Sequence, residues 1–253
     1  MIGLQDKVVI VAGGGSGIGA ATALRLAEAG AAVVIGDLKQ EAAEAVAGQI
    51  RGLGGRALGV GFDVVDEPSV AALVASAVEG FGGLDAIHVN LADLSIIFQD
   101  KDALSTPLSV FDRTIAVDLR GHLICTRHAV PALLARGGGA IIYTVSGAAY
   151  VGSPDYVCYS MAKAGITALM RHVATRWGKE GIRANAVAPG LVLTDGVRAG
   201  MSEEAKAHVL ALGSTPRLGQ PGDIAAMVAL LVSEEGEWIT GQVISIDGGA
   251  TMR

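Results

Sequence analysis

The sequence predicts a doubly wound α/β fold, in which helices cover both faces of a parallel β-sheet. Short β-branched runs alternate with Ala-rich helical stretches along most of the 253 residues. The first two runs, Val8-Val9-Ile10-Val11 and Ala32-Val33-Val34-Ile35, are continuously apolar, which is typical of strands buried on both faces. Hydrophobic residues make up 51% of the chain and charged residues 17%, so much of it is expected to be interior.

Seven runs are predicted as strands of one parallel sheet, because helical stretches separate them. They are residues 7–12, 32–37, 57–63, 85–90, 140–145, 183–188 and 243–246. The alternation resumes after the polar stretch 93–107, so residues 1–253 are expected to form one domain. Segment 194–218 interrupts the alternation with three glycines and a proline. It is expected to be a substrate lid, with a plain surface excursion as the alternative.

The charge pattern and the N-terminus limit the classes of partner. The net charge is -6 and no block of Lys and Arg occurs, so no nucleic-acid partner is expected. The first seven residues lack the order of a signal peptide, and no apolar run reaches the length of a membrane span, which predicts a cytoplasmic protein without a membrane partner. The two cysteines are expected to be buried thiols, and no spacing of His or Cys predicts a metal site.

A glycine-rich turn follows the first predicted strand and opens the first predicted helix, which should begin near Gly17 and end at Gly30. Glycines 13, 17 and 19 permit positive φ, close approach of the backbone to a pyrophosphate and tight packing of helix on strand. Ser16 and Ile18 lie between them in the same turn. A dinucleotide site is therefore predicted here, against the alternative of a tight turn that binds nothing.

Acidic residues end the next two predicted strands. Asp37 can accept hydrogen bonds from both hydroxyls of an adenosine ribose, and it would repel a 2'-phosphate. Since Lys39 is the nearest base, the cofactor is predicted to be NAD rather than NADP. Leu38 follows Asp37 beside the expected adenosine, and Asp63 could face the adenine amino group.

Tyr159 and Lys163 are four residues apart in a predicted helix, so their side chains share one face. An ammonium close to a phenol is expected to lower the pKa of the tyrosine, which makes an acid or base available. Ser146, at the end of the fifth predicted strand, could hold a substrate oxygen beside the tyrosine. Tyr156 competes for the role by composition, but the residue four positions later is Ser160 rather than a lysine.

These residues together resemble the short-chain dehydrogenase/reductase family across essentially the whole chain. The turn from Gly13 to Gly19 is similar to the family's TGxxxGIG, Asp63-Val64 to its adenine pair, Asn90 to the first Asn of NNAG, and Ser146, Tyr159 and Lys163 to its catalytic set. The segment from Asn185 to Thr194 is similar to the family's nicotinamide segment, and 241–249 to its C-terminal signature. Four residues of the nicotinamide segment are expected at the cofactor: Pro189, Gly190, Val192 and Thr194.

The resemblance implies a single Rossmann-fold domain and hydride transfer between NAD(H) and an alcohol/ketone pair, for which a small to medium hydrophobic secondary alcohol is expected. It implies that Tyr159 is the general acid/base, that Ser146 holds the substrate oxygen and that Lys163 also holds the nicotinamide ribose. It also implies a homotetramer.

The sequence departs from the family pattern at four positions, namely Ala12, Leu91, Asp93 and Asp118. Asp118 stands where the family's fourth catalytic residue is Asn. A carboxylate there would raise the pKa of Lys163 and oppose its effect on Tyr159, and we hypothesise a slower enzyme or a higher pH optimum. The departures also leave open a non-catalytic NAD(H)-binding sensor or assembly subunit. A methyltransferase would share the glycine turn but not the Tyr159/Lys163 pair.

Overall fold

The computed structural model describes residues 3–252. The predicted domain 1–253 also includes residues 1, 2 and 253, which lie outside the described residues. Seven strands form one parallel sheet in the order β3-β2-β1-β4-β5-β6-β7. They are β1 (Val8–Ala12), β2 (Ala32–Asp37), β3 (Arg56–Gly61), β4 (Ala86–Val89), β5 (Gly139–Thr144), β6 (Ile182–Pro189) and β7 (Val243–Ile246). The predicted fold class is confirmed.

Helices follow the strands and cover the sheet. They are α1 (Gly17–Glu28), α2 (Gln40–Gly52), α3 (Glu67–Phe81), α4 (Leu108–Thr114), α5 (Gly121–Ala135), α6 (Val157–Trp177), α7 (Asp195–Gly200), α8 (Glu203–Leu212) and α9 (Pro221–Val232). A π-helical turn, Ile115–Arg120, joins α4 to α5, and a 3-10 helix, Leu94–Gln99, follows β4. Gly30, with φ +95, follows α1 in the left-handed region, as the predicted end of that helix requires.

Side chains that alternate along each strand enter two separate apolar layers. In β1, Val8 and Ile10 pack in one layer while Val9 and Val11 pack in the other, and all four are buried. Each such side chain removed from water stabilises the fold by about 1.5–3 kcal/mol relative to an exposed one. The continuous apolar runs seen in the sequence therefore reflect cover on both faces of the sheet.

The strand order reverses direction at β1, which lies between β2 and β4. The segments that follow β1 and β4 at their carboxyl ends turn to opposite sides of the sheet, which opens a crevice between them. Ligands bind in this crevice in folds of this class. Two predicted strand ends, Asp63 and Asn90, lie just beyond the hydrogen-bonded strands because the chain turns away from the sheet there. Both residues are thereby placed at the crevice. Within residues 3–252, no helix is both long and apolar enough to cross a bilayer.

Candidate active site

A cleft of about 640 Å³ occupies the crevice at the carboxyl ends of the strands. Most of the residues predicted from the sequence line it. These are Gly13, Ser16, Gly17, Ile18, Asp37, Leu38, Asp63, Val64, Asn90, Ser146, Tyr159, Lys163, Pro189, Gly190, Val192 and Thr194. Gly19 and Asp118 are not among the residues that line the cleft.

The glycine turn packs closely against the start of the loop that follows β4. Gly13 has φ +81, and a Cβ built on it would overlap the backbone oxygen of Asn90. A Cβ on Gly19 would overlap the backbone oxygen of Gly13, so Gly19 packs behind the turn. Gly19 thus lets the start of α1 pack closely on the turn, and its place at the cofactor stays a prediction.

The first turn of α1 lines the cleft with Gly17 and Ile18. Ser16 is the N-cap residue, yet its side chain accepts no hydrogen bond from the helix. The amino end of a helix carries unsatisfied N–H groups and the positive end of the helix dipole, which favour an anion. The bare glycine backbone and the uncapped helix start therefore fit the phosphates of a dinucleotide.

Asp37 lines the cleft from the end of β2, whereas Tyr159 lines it from α6. Asp37 Oδ2 accepts a hydrogen bond from Gly15 N at 3.0 Å, and its Oδ1 accepts one from Lys39 N at 3.1 Å. These two contacts hold the carboxylate at the end of β2, while Leu38 beside it is 66% exposed. A fixed acidic group is thus presented where a ribose would lie.

Tyr159 and Lys163 occupy one face of α6, as the spacing predicts. Lys163 Nζ lies 5.4 Å from the centroid of the Tyr159 ring and donates hydrogen bonds to Leu91 O at 3.0 Å and Thr144 O at 3.3 Å. The Ser146 side chain interacts with Tyr159 and lowers the pKa of its phenol, and Ser146 Oγ accepts a hydrogen bond from Ala148 N at 3.3 Å. Serine, tyrosine and lysine therefore converge at one place in the cleft.

The pKa of Tyr159 differs from its expected direction. Burial raises this pKa to about 12, the hydrogen bond from Ser146 lowers it, and the charge of Asp118 raises it. Burial also lowers the pKa of Lys163, against the opposing effect of Asp118. In the chain by itself, the loss of water around the phenol outweighs any lowering of its pKa by the ammonium.

Asp118 lies behind the cleft in the π-helical turn and is 1% exposed. Its Oδ1 accepts a hydrogen bond from Asp93 N at 2.9 Å. Burial raises the pKa of Asp118, and the ammonium of Lys163 partly opposes this. The carboxyl group thus touches the cleft wall through the backbone of Asp93 and acts on Lys163 through its charge.

The four departures from the family pattern are neighbours in the fold, since the loop that contains Leu91 and Asp93 lies on the end of β1 and Asp93 N also bonds to Asp118. Asn90 N donates to Ala12 O at 2.9 Å, and the Asn90 side chain donates to Gly13 O at 3.2 Å, so the loop after β4 lies on the end of β1. Arg113 Nε donates to Asp93 Oδ2 at 2.8 Å and also lines the cleft. Sequence reasoning missed Arg113, since nothing in its local pattern links it to a residue 20 positions earlier.

Among the described residues 3–252, no group of three or more His, Cys, Asp or Glu side chains is placed to hold a metal ion. The two cysteines are free and buried, as predicted.

Comparison with known proteins agrees with this architecture. A family model described as "Enoyl-(Acyl carrier protein) reductase" matches residues 12–251. A cis-4-hydroxycyclohexanecarboxylate dehydrogenase of Sinomonas cyclohexanicum is 41% identical over 97% of both chains. A probable short-chain type dehydrogenase/reductase of Bradyrhizobium diazoefficiens is 40% identical over 97% of this chain and 87% of its own length.

A solved structure shares the whole fold. It is a 7α-hydroxysteroid dehydrogenase complexed with NADH and 7-oxo glycochenodeoxycholic acid, with a TM-score of 0.92 and 30% identity over 99% of this chain and 96% of that one. The likeness extends across the sheet, the helices and the crevice described above. By its family match and by its relatives, the chain belongs to the short-chain dehydrogenase/reductase family of oxidoreductases.

Proposed function

We propose that this protein is an NAD(H)-dependent oxidoreductase that moves a hydride between the nicotinamide ring and a secondary alcohol/ketone pair. The observation that carries the proposal is the convergence of Ser146, Tyr159 and Lys163 in the cleft that also holds the glycine turn. A protein that only bound the dinucleotide would have no need of that convergence, which weighs against the sensor or assembly subunit.

The proposed roles follow from the chemistry of each side chain. The Tyr159 phenolate takes the proton of the alcohol during oxidation, and the Tyr159 phenol gives a proton to the carbonyl oxygen during reduction. Ser146 donates a hydrogen bond to the same oxygen, and Lys163 favours the phenolate of Tyr159 and binds the nicotinamide ribose. NAD(H), when bound, supplies the hydride acceptor or donor.

The preference for NAD is proposed from Asp37. Its carboxylate, fixed by Gly15 N and Lys39 N, can accept hydrogen bonds from ribose hydroxyls and repels a 2'-phosphate. The complex of the solved relative contains NADH, which supports the same choice. The phosphates would lie against the glycine turn and the start of α1.

The substrate class is proposed from the cleft and from the relatives. Apart from Lys163, Arg113 is the one Lys or Arg among the described residues that line the cleft, and its ion pair with Asp93 offsets its charge. Leu94, Leu191 and Val197 add apolar surface. Similar proteins are named for cyclohexanol, for cis-4-hydroxycyclohexanecarboxylate and for a hydroxysteroid, so we propose a small to medium hydrophobic alcohol, with alicyclic alcohols first among them.

We propose further that residues 194–218, which contain α7 and α8, act as a substrate lid. Thr194 caps α7 by accepting from Val197 N at 3.3 Å, and both residues line the cleft. We also propose a single domain from the continued alternation of strands and helices, a cytoplasmic location from the sequence pattern, and a homotetramer from the resemblance to the family.

The experiment is titration calorimetry with NAD+, NADH, NADP+ and NADPH, followed by turnover of cyclohexanol and other secondary alcohols at the NADH absorbance. Tyr159→Phe should abolish turnover while NADH binding persists, and Tyr156→Phe, which removes a hydroxyl without a lysine partner, should keep it. Tight NADH binding without turnover across a wide panel would favour the sensor, and binding of NADP(H) alone would contradict the role of Asp37.

A further inference from the structure

Asp100 joins the loop after β4 to the first turn of α6. Its side chain is 1% exposed, and its two carboxylate oxygens accept hydrogen bonds from Cys158 N at 3.1 Å and from Tyr159 N at 2.9 Å. The residue ends the 3-10 helix Leu94–Gln99, which begins at the cleft wall. A buried carboxylate 59 residues away in sequence therefore contacts the amide of the proposed catalytic tyrosine itself.

The start of α6 has no cap of its own. Its N-cap residue, Tyr156, makes no side-chain hydrogen bond to the helix. The neighbouring amides are instead satisfied by the loop, since Tyr156 N donates to Asp100 O at 3.3 Å and Val157 N donates to Lys101 O at 3.4 Å. The first amides of a helix need external acceptors, and here Asp100 and Lys101 supply them.

The backbone of Tyr156 is held in an unfavourable conformation at this junction. It has φ +68 and ψ +40, in the left-handed region that bulky residues rarely adopt. Such a conformation persists only where surrounding contacts impose it, and it concentrates at functional sites. Hydrogen bonds from amides to a buried carboxylate are stronger than neutral ones, so Asp100 is suited to impose it.

We propose that Asp100 is a positioning residue that fixes the start of α6 and thereby the Tyr159 hydroxyl relative to Ser146. This inference rests on the proposed role of Tyr159 as acid/base. Because Asp100 binds the amide of Tyr159, its loss would let the phenol move, and a displacement of about 1 Å at a reacting group can cost about 100-fold in rate.

The structure separates this effect from cofactor affinity. The groups that would bind the adenosine and the phosphates belong to the glycine turn and to Asp37, at the end of β1, the start of α1 and the end of β2. Asp100 contacts none of them through its side chain. Lys163, which would bind the nicotinamide ribose, is held by Leu91 O and Thr144 O rather than by Asp100. Loss of the Asp100 carboxylate should therefore act on the turnover number far more than on the binding of NADH.

Asp102 provides a matched control in the same loop. It is exposed, and its carboxylate accepts from Leu104 N and from the amide and hydroxyl of Ser105, so its bonds are local. Asp100→Ala, Asp100→Asn and Asp102→Ala would be compared with the unaltered protein. The readouts are kcat and KM for the alcohol, the Kd of NADH, and hydrogen–deuterium exchange of residues 157–163 without cofactor.

We expect Asp100→Ala to lower kcat by about 10- to 100-fold while the Kd of NADH and the KM stay within about threefold. Asp100→Asn keeps one acceptor oxygen, so its kcat should fall less, by about three- to tenfold. This variant still tests the proposal if the alanine variant does not fold. In both, exchange should accelerate at Cys158 and Tyr159, and Asp102→Ala should match the unaltered protein in every readout.

Unchanged kcat in the Asp100 variants, or an equal loss in Asp102→Ala, would overturn the proposal. Failure of the proposed function would look different, because then Tyr159→Phe would equal the unaltered protein or no alcohol would turn over. The exchange measurement still decides the structural part in that case, since unchanged exchange at 157–163 would show that Asp100 does not fix the helix start.

Discussion

The ammonium nitrogen of Lys163 lies 5.4 Å from the centroid of the Tyr159 ring and is held there by the carbonyl oxygens of Leu91 and Thr144. The lysine is 1% exposed, so its charge acts on the phenol with little screening by water. One of its two backbone acceptors belongs to the loop after β4 and the other to the end of β5. The position of this charge therefore depends on two segments that are distant in sequence.

Asp118→Asn should move the pH limb of alcohol oxidation to lower pH. Oxidation uses the phenolate of Tyr159, so its rate rises with pH toward the pKa of that group, and the charge of Asp118 raises this pKa. Removing the charge lowers the pKa of Tyr159. The measurement is kcat/KM against pH with NAD+, with Asp112→Asn, an exposed acid on α4, as control. A limb that stays in place would contradict the hypothesis.

Asp37→Ala should weaken NAD+ binding by about 10- to 100-fold, because hydrogen bonds to a charged group contribute about 1.5–3 kcal/mol each. The same change removes the repulsion of a 2'-phosphate, so discrimination against NADP+ should fall. Calorimetric Kd values for both cofactors test this. Glu41→Ala, which removes an exposed negative charge from the first turn of α2, should leave the ratio of the two constants unchanged.

Gly19→Ala should destabilise the protein by about 1–3 kcal/mol, since the added methyl group overlaps the Gly13 backbone oxygen and neither segment can give way easily. NADH binding should weaken as the glycine turn shifts. Gly48 lies in α2 with only the end of the Arg51 side chain near its Cβ position. Gly48→Ala should therefore stabilise by about 0.5–1 kcal/mol. Urea unfolding of both variants gives the comparison, and equal destabilisation would count against this account of the turn.

His88 should make the protein acid-sensitive. It is fully buried in β4, its Nε2 is 2.8 Å from Thr144 Oγ1, and burial lowers its pKa from 6.5 to about 3. Below pH 6.5 His88 binds a proton in the unfolded chain but stays neutral in the folded chain. The contribution of His88 to the free energy of unfolding is therefore fully present above pH 6.5 and is lost as the pH falls toward 3. Between pH 7 and pH 5, protonation of His88 in the unfolded chain should lower the free energy of unfolding by about 2 kcal/mol.

The measurement is the free energy of unfolding at pH 7 and pH 5 for the unaltered protein and for His88→Val. The variant should lose stability at pH 7 through its packing and its lost hydrogen bond, but its decline with acid should be smaller by about 2 kcal/mol. His208→Ala, which removes an exposed histidine on α8, should leave the decline unchanged. Equal declines in all three proteins would refute the assignment.

The strands and the Tyr159/Lys163 pair could be predicted because each depends on residues that are close together in the sequence. The runs Val8 to Val11 and Ala32 to Ile35 are continuously apolar, which is typical of strands covered on both faces. The helical stretches between the runs imply that the strands are parallel. Tyr159 and Lys163 share a face by helical periodicity alone. The strand ends were less well predicted, since β3 ends at Gly61 and β4 at Val89, ahead of the predicted ends Asp63 and Asn90.

The sequence by itself thus determined the doubly wound sheet, the glycine turn and the pairing of tyrosine with lysine, because each depends on neighbours a few residues apart. Only the tertiary structure decided that the pKa of Tyr159 is raised, that Arg113 binds Asp93 and that Asp100 caps α6. These depend on burial and on contacts between segments separated by 20 to 60 residues, and packing of the complete sheet sets both.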